Sequence, residues 1–225
     1  MRYRISTLHI QEKNNEHDVF RAFADANDRD KINGLINAGL VKTGTLVLME
    51  RDIDSFTDFE NDSGNETGIA AFDRSGGDAS GGSGSLGKVE LYEADRYGLS
   101  EYLSANREGF AIGTSESTIR EELSYKNAAI YVLRLDKKIV SSVTVWDHDD
   151  ETVATENIFT LPQYRNRHFM TRVLATALAN AKARGIKKAR LTVYSENDSA
   201  VRIYQKLGYT ITKHIIEFGE DTGLK

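Results

Sequence analysis

Apolar residues recur at helical spacing most clearly between Phe169 and Arg184. The apolar positions of this range follow one another at intervals of three and four: Val173, Leu174, Ala177, Leu178 and Ala181. Such spacing gathers side chains on one face of a helix. Gly185 follows where a left-handed residue would end that helix. The pattern therefore predicts an amphipathic helix over 169–184.

Short β-rich runs lie on either side of this helix. The runs 129–135, 139–146 and 152–161 come in close succession, and Asp136-Lys137 forms a turn between the first two. Short connections favour an antiparallel meander. Three more strands are predicted at 89–93, 189–194 and 209–218, and three more helices at 99–110, 116–124 and 197–207. The predicted order from residue 89 is β-α-α-β-β-β-α-β-α-β.

The chain before residue 88 is less regular. A stretch rich in Gly and Ser, 75–87, cannot bury a core and is typical of a flexible connector, including those that protein engineers insert. We therefore predict a small α/β segment at 1–74, a linker at 75–87 and a catalytic-sized domain at 88–225. In the first segment a strand is predicted at 3–10, broken helical periodicity runs over 19–40, and a short β-rich run covers 45–49. His9 and His17 are isolated there, and no chemical motif is present.

Composition excludes several kinds of chemistry. The sequence has no Cys, so disulfides, thiolate metal sites and a cysteine nucleophile are excluded, and no metal is expected. The absence of Cys fits a reducing compartment, and cytoplasm is the expected location. No apolar run approaches the roughly 20 residues that span a bilayer, and the N-terminus is too polar for a signal peptide. We expect no membrane partner.

Charge is distributed unevenly along the chain. Between Leu161 and Thr192 eight basic residues stand without an acidic one: Arg165, Arg167, Arg172, Lys182, Arg184, Lys187, Lys188 and Arg190. This range is a local anion-attracting surface, or simply a solvated face. The range 50–73 is strongly acidic, and the whole chain has a formal net charge of −5. The net charge argues against a nucleic-acid partner, including a tRNA acceptor.

Two motifs carry a resemblance. NDSAVRIYQKLGY, from Asn197 to Tyr209, is similar to the penultimate strand-helix-strand segment of the GNAT acetyltransferase superfamily. TENIFTLPQYRNRHFM, from Thr155 to Met170, resembles that family's fourth strand, its Pro-x-Tyr-Arg exit and its phosphate loop. The resemblance implies a mixed, mostly antiparallel sheet flanked by about four helices. It also implies acetyl transfer from acetyl-CoA to an amine by direct attack.

The phosphate loop departs from the family pattern. A helix N-terminus offers free N–H groups and partial positive charge to a pyrophosphate. The family's loop reads Arg-x-x-Gly-x-Gly or Ala, whereas this chain has no glycine between Gly113 and Gly185. Side-chain donors from Arg165, Arg167 and His168 could replace some backbone contacts. The residues expected to hold the cofactor phosphates are Arg165, Asn166, Arg167, His168, Phe169, Met170 and Thr171.

The resemblance also assigns the chemistry. Backbone groups of Ile158, Phe159 and Thr160 would pair with the pantetheine arm and the acetyl carbonyl. Glu156 would lie next to the amine as general base, although it could equally be an ordinary strand carboxylate, with Glu151 or His148 acting through water.

Three residues of the last motif complete the predicted site. Tyr204 would protonate the departing thiolate, or only pack on the inner face of its helix. Asn197 would cap that helix and, with Ala200, contact the cofactor arm, although capping alone would explain the Asn.

Two alternatives remain open at this stage. The glycine-free loop favours an inactive GNAT scaffold that binds or regulates a partner. The acidic 50–73 range facing the basic helix would suit a toxin-like acetyltransferase tethered to an inhibitory N-terminal segment. The amine acceptor and the acyl chain length are not encoded in any pattern we recognise, and a homodimer stays an open alternative.

Overall fold

The computed structural model describes residues 21–53, 87–110 and 113–221. The predicted strand at 3–10, both isolated histidines, most of the acidic range and nearly all of the linker lie outside these residues. The chain divides into two compact units. One contains the described residues up to Arg51 together with those from Arg190, and the other contains those within Asp52–Ala189.

The described residues form eight strands and six α-helices. The strands are β1 (Arg21–Asp25), β2 (Val41–Asp52), β3 (Lys88–Leu91), β4 (Ala129–Leu135), β5 (Lys138–Asp147), β6 (Thr152–Thr160), β7 (Lys188–Tyr194) and β8 (Thr210–Gly219). The helices are α1 (Arg29–Asn37), α2 (Ala94–Tyr97), α3 (Ser100–Gly109), α4 (Glu116–Leu123), α5 (Phe169–Ala183) and α6 (Asp198–Lys206). Most strands pair antiparallel within their unit and are accompanied by helices, which confirms the predicted mixed α/β class.

In the 52–189 unit, strands run in the order β6-β5-β4-β3, with antiparallel pairing at each step. Short turns explain this meander, and Asp136 and Lys137 both adopt a left-handed backbone at the turn between β4 and β5. The predicted helix at 169–184 is confirmed as α5, with all five of its predicted apolar positions buried. Gly185, at φ 86°, has the left-handed conformation expected after its end.

The other unit is built from both ends of the described chain. β1 and β2 each pair antiparallel with β8, so β8 has a strand from the first 52 residues on both edges. The broken helical periodicity at 19–40 resolves into strand β1 and helix α1, which Asp28 caps by accepting from the N–H of Lys31. Residues of the predicted N-terminal segment and of the predicted C-terminal domain thus share one unit. The division at 75–87 itself stays a prediction.

Candidate active site

A β-bulge interrupts β6 next to the predicted base. Ser142 of β5 stands opposite Phe159, whereas Thr144 stands opposite Glu156, so β6 has one extra residue here. Asn157 within the bulge has φ 47°, a left-handed conformation that Asn tolerates better than most side chains. A bulge redirects side chains and ends regular pairing. The bulge therefore places side chains of β6 where they can form polar contacts outside the regular strand pairing.

Asn157 joins three elements by hydrogen bonds. Its Nδ2 donates to Glu122 Oε2 on α4 at 2.6 Å, and its Oδ1 accepts from Thr114 Oγ1 at 2.8 Å. The backbone N–H of Thr114 donates to Oδ1 of Asn106 on α3 at 2.7 Å. This polar chain fixes the bulge against the two helices that precede the meander.

Glu122 and Glu156 form a carboxyl pair beside this chain. Glu122 is only 5 % exposed, and it interacts electrostatically with the half-buried Glu156. Burial, followed by the charge of Glu156, raises the pKa of Glu122 well above its ordinary value. The pair can therefore hold a proton at a pH where an isolated glutamate has lost it.

Tyr102 borders the pair from α3. Its hydroxyl lies 3.3 Å from Thr144 Oγ1, and both side chains are buried. Burial raises the pKa of Tyr102 to about 12, with the charge of Glu122 adding to the shift. The phenol is thus neutral across the physiological range.

Aromatic rings cover the other side of the bulge. Phe159 lies 6.1 Å from the Tyr102 ring and 5.7 Å from the Phe110 ring, measured between centroids. A Cβ on Gly109 would come within 2.6 Å of the Phe159 ring, so this position requires glycine. These rings are part of the apolar core that lies beside the bulge.

The loop after β6 keeps an unusual backbone without glycine. Asn166 and His168 have φ 61° and 58°, and His168 is the residue that precedes α5. Left-handed backbone costs a non-glycine residue about 1–2 kcal/mol, so the surrounding structure must stabilise it. His168 thus adopts the conformation that a glycine takes freely.

Side chains of this loop point both outward and inward. Arg165, Asn166, Arg167 and His168 are exposed, Met170 and Thr171 are half-buried, and Phe169 is buried in the core. Arg165 donates to the carbonyls of Thr160 and Gly109, each at 3.3 Å. The Arg167 guanidinium stands 5.7 Å from the centre of the Tyr164 ring. Two fixed cations therefore stand just before the start of α5.

The acetyltransferase (GNAT) family pattern matches residues 97–209, just over half of the 225 residues. The chain belongs to the GNAT acetyltransferase family. This confirms the resemblance that the two motifs carry. No curated protein sequence matches the chain.

Solved GNAT structures share the fold at low sequence identity. A GNAT-family protein from Novosphingobium aromaticivorans DSM 12444 is 16 % identical, with a TM-score of 0.56 over 91 % of this chain and 76 % of that one. A GCN5-related N-acetyltransferase from Kribbella flavida is 16 % identical, with a TM-score of 0.58 over 90 % and 68 %. The ribosomal-protein-S18-alanine N-acetyltransferase of Escherichia coli, 16 % identical, gives 0.51 over 60 % and 93 %.

The GNAT site residues predicted in the 52–189 unit are now located. Glu156 lies at the bulge, paired with Glu122. Ile158 is half-buried, and the Phe159 carbonyl accepts from Ser141 Oγ at 2.8 Å. Glu151 and His148 lie at the turn that precedes β6, where Glu151 forms an exposed ion pair with Lys187. The structure therefore groups Glu156, and not Glu151 or His148, with the polar chain of the bulge.

The predicted residues of the other unit lie on and before α6. Asn197 caps this helix, since its Oδ1 accepts from the N–H of Ala200 at 3.2 Å. Tyr204 is 7 % exposed and makes an edge contact with Tyr209, with ring centroids 6.0 Å apart. Burial raises the pKa of Tyr204, which keeps the phenol protonated. A neutral phenol is the form that a proton donor requires.

Sequence reasoning missed Glu122, Asn157 and Tyr102. The available signal for Glu122 was its position three residues after buried Ile119, which places a carboxylate on the inner face of α4. No comparable periodicity marks Asn157 within a strand.

Among residues 21–53, 87–110 and 113–221, no cluster of three potential metal ligands occurs. Within the same ranges no helix is long and apolar enough to cross a membrane.

Proposed function

We propose that this GNAT protein transfers an acetyl group from acetyl-CoA to a primary amine by direct attack. The observation that carries the proposal is the pair of buried Glu122 and half-buried Glu156 at the β6 bulge, in a chain whose family membership indicates acyl transfer. Such a pair suits an amine acceptor because an alkyl ammonium, with a pKa of about 10.4, must lose a proton before it can attack.

The loop before α5 supports a phosphate-bearing donor. Acetyl-CoA supplies the activated acetyl thioester of the reaction. Its phosphates would be held by Arg165, Arg167 and His168 and by the backbone N–H groups at Phe169, Met170 and Thr171. The fit rests on the left-handed backbone of Asn166 and His168 and on the exposed loop cations. Backbone at Ile158, Phe159 and Thr160, with Asn197 and Ala200, would contact the pantetheine arm.

Two side chains would move protons in this proposal. Glu156 would accept the proton of the acceptor ammonium. Tyr204 would return a proton to the thiolate that leaves, and its raised pKa supports this use.

Calorimetric titration of acetyl-CoA into the purified protein tests the donor. We expect saturable binding that weakens by about tenfold or more when Arg165 and Arg167 are both changed to Ala. The matched control changes Arg96 and Arg120 to Ala, which removes the same charge from exposed arginines that form ion pairs with nearby glutamates. Equal loss in both double variants would mean a nonspecific charge effect and would contradict the proposed phosphate site.

The second candidate is an inactive scaffold that binds a partner. It is favoured by His168 and Met170, which fill both positions where the family has small residues. Binding of acetyl-CoA, followed by amine-dependent release of free thiol in a panel of primary amines, would exclude it. Undetectable acetyl-CoA binding at millimolar concentration would favour it over the enzyme.

A further inference from the structure

Hydrogen bonds from neighbouring residues hold the Glu122–Glu156 pair in place. Glu122 projects from α4 into a site where Asn157 holds its Oε2 at 2.6 Å, and Thr114 in turn holds Asn157 at 2.8 Å. Glu156 is on the strand that bulges next to Asn157. Helix α4, strand β6 and the loop residue Thr114 thus place the two carboxyl groups in one polar site.

We propose that Glu122 and Glu156 act as one proton-accepting unit, in which Glu122 is a positioning residue that makes Glu156 a base matched to an amine. This inference rests on the proposed function. It adds Glu122 to the reaction through its effect on Glu156 rather than through contact with the substrate.

The physical reason is the burial of Glu122, followed by the like charge of Glu156. Two adjacent carboxylates repel each other, so the pair gains one proton more readily than a single glutamate does. The titratable groups that act on this site are Glu156 on β6, Tyr102 on α3 and Glu121 on the same helix as Glu122. Tyr102 stays neutral, and Glu121 adds further negative charge. Burial and the charges of Glu156 and Glu121 raise the pKa of Glu122, and they outweigh the hydrogen bond from Asn157, which lowers it.

The protons balance as follows. The doubly ionised pair takes one proton from the acceptor ammonium, and the two carboxyl groups share it. The neutral nitrogen forms an N–C bond to the acetyl carbon, and the C–S bond breaks. A second proton leaves the nitrogen and ends on the sulfur, and the shared proton is released to solvent. The net products are an amide, a free thiol and one proton.

The pH dependence of kcat/KM tests the unit. In the wild type we expect the acid limb to inflect well above the ordinary range of a glutamate, because burial and the charge of Glu156 raise the pKa of Glu122. Glu122→Gln keeps the shape and an acceptor for Asn157 but removes the like charge. We expect its limb to move down by more than about one pH unit, with a lower plateau because the remaining base is weaker. Glu121→Gln, an exposed neighbour, should leave the limb within a few tenths of a unit.

A structural role for Glu122 would give a different profile. Glu122→Gln would then lower kcat/KM equally at every pH and leave the limb in place. That result would overturn the proposal while the proposed function stands.

An NMR titration tests the pair without knowledge of the amine acceptor. In protein labelled with ¹³C at glutamate carboxyls, we expect one carboxyl to titrate well above the ordinary glutamate range in the wild type and in Glu121→Gln. This raised titration should be absent in both Glu122→Gln and Glu156→Gln. Survival of this titration in Glu156→Gln would overturn the shared pair. A shared titration without acetyl transfer to any amine would overturn the proposed function, and with it the catalytic use of the pair.

Discussion

At the residue scale, the packing of the Tyr204 ring can be tested separately from the proposed chemistry of its hydroxyl. Its ring fills the inner face of α6 beside Tyr209, whereas its hydroxyl is the proposed proton donor. Tyr204→Phe keeps the ring and removes only the hydroxyl. We expect kcat to fall by about 10²-fold, in the range of a lost general acid, with the affinity for acetyl-CoA little changed.

Steady-state kinetics and calorimetry on this variant check the expectation. Tyr209→Phe is the matched control, because it removes a hydroxyl from the neighbouring ring. If both variants keep wild-type kcat, Tyr204 is only a packing residue.

Asn157 is a residue whose backbone and side chain can be tested apart. Asn157→Gly loses the bonds to Glu122 and Thr114 but adopts φ 47° without strain, whereas Asn157→Ala loses the same bonds and keeps the strain. We expect Ala to be less stable than Gly by about 1 kcal/mol. Urea unfolding of the two variants measures the difference. Equal midpoints would show that the bulge relaxes to an ordinary strand conformation.

At the element scale, the predictions from sequence succeeded where the pattern is local. The α5 helix shows its apolar face directly, and the β4-β5-β6 meander follows from short turns. The pairing of β1 and β2 with β8 joins residues such as Arg21 and Gly219, which no local pattern connects. The bulge at Asn157 was missed because one extra residue changes pairing without changing composition. Glu156 could be nominated from the sequence through the family resemblance and stays a predicted site residue, whereas its partner Glu122 on α4 was missed.

Asn197 is the N-cap of α6, and its contribution to the stability of this helix can be measured. Asn197 satisfies the N–H of Ala200, one of the N–H groups that the first turn leaves without a helical partner. Asn197→Ala should lower the free energy of unfolding by about 1 kcal/mol, whereas Asn197→Asp should be close to wild type because Asp caps equally well. Thermal or urea unfolding measures both.

The same pair of variants separates capping from cofactor contact. If Asn197 only caps the helix, Asn197→Asp binds acetyl-CoA as the wild type does. A contact between the Asn197 amide and the cofactor arm requires that Asn197→Asp bind more weakly at unchanged stability.

At the scale of the whole molecule, the question is whether residues 1–74 are a separate segment. β8 bonds to β2 on one edge and to β1 on the other, and Arg21 forms a 3.0 Å ion pair with Glu217, which is 4 % exposed. Tyr194 also donates to Glu217, at 3.3 Å. Removing residues 1–74 would therefore expose both edges of β8 and leave a buried carboxylate without its cation. We expect the truncated chain to be insoluble rather than activated.

Cutting the chain within 75–87 while keeping both fragments present tests more directly whether β1 and β2 belong to one unit with β8. A protease site placed within 75–87 would cut the chain between β2 and β3 and leave every described backbone pair intact. We expect the two fragments to elute together by size exclusion in native buffer and to separate only in denaturant, because the bonds that join β1 and β2 to β8 do not pass through the cut. Arg21→Met should weaken the association, since it leaves Glu217 buried without its ion-pair partner. Fragments that separate in native buffer, with acetyl transfer rising on separation, would instead support the tethered inhibitory segment. Fragments that stay together would make residues 21–53 part of the catalytic fold, and function would then have to be assigned to the whole chain.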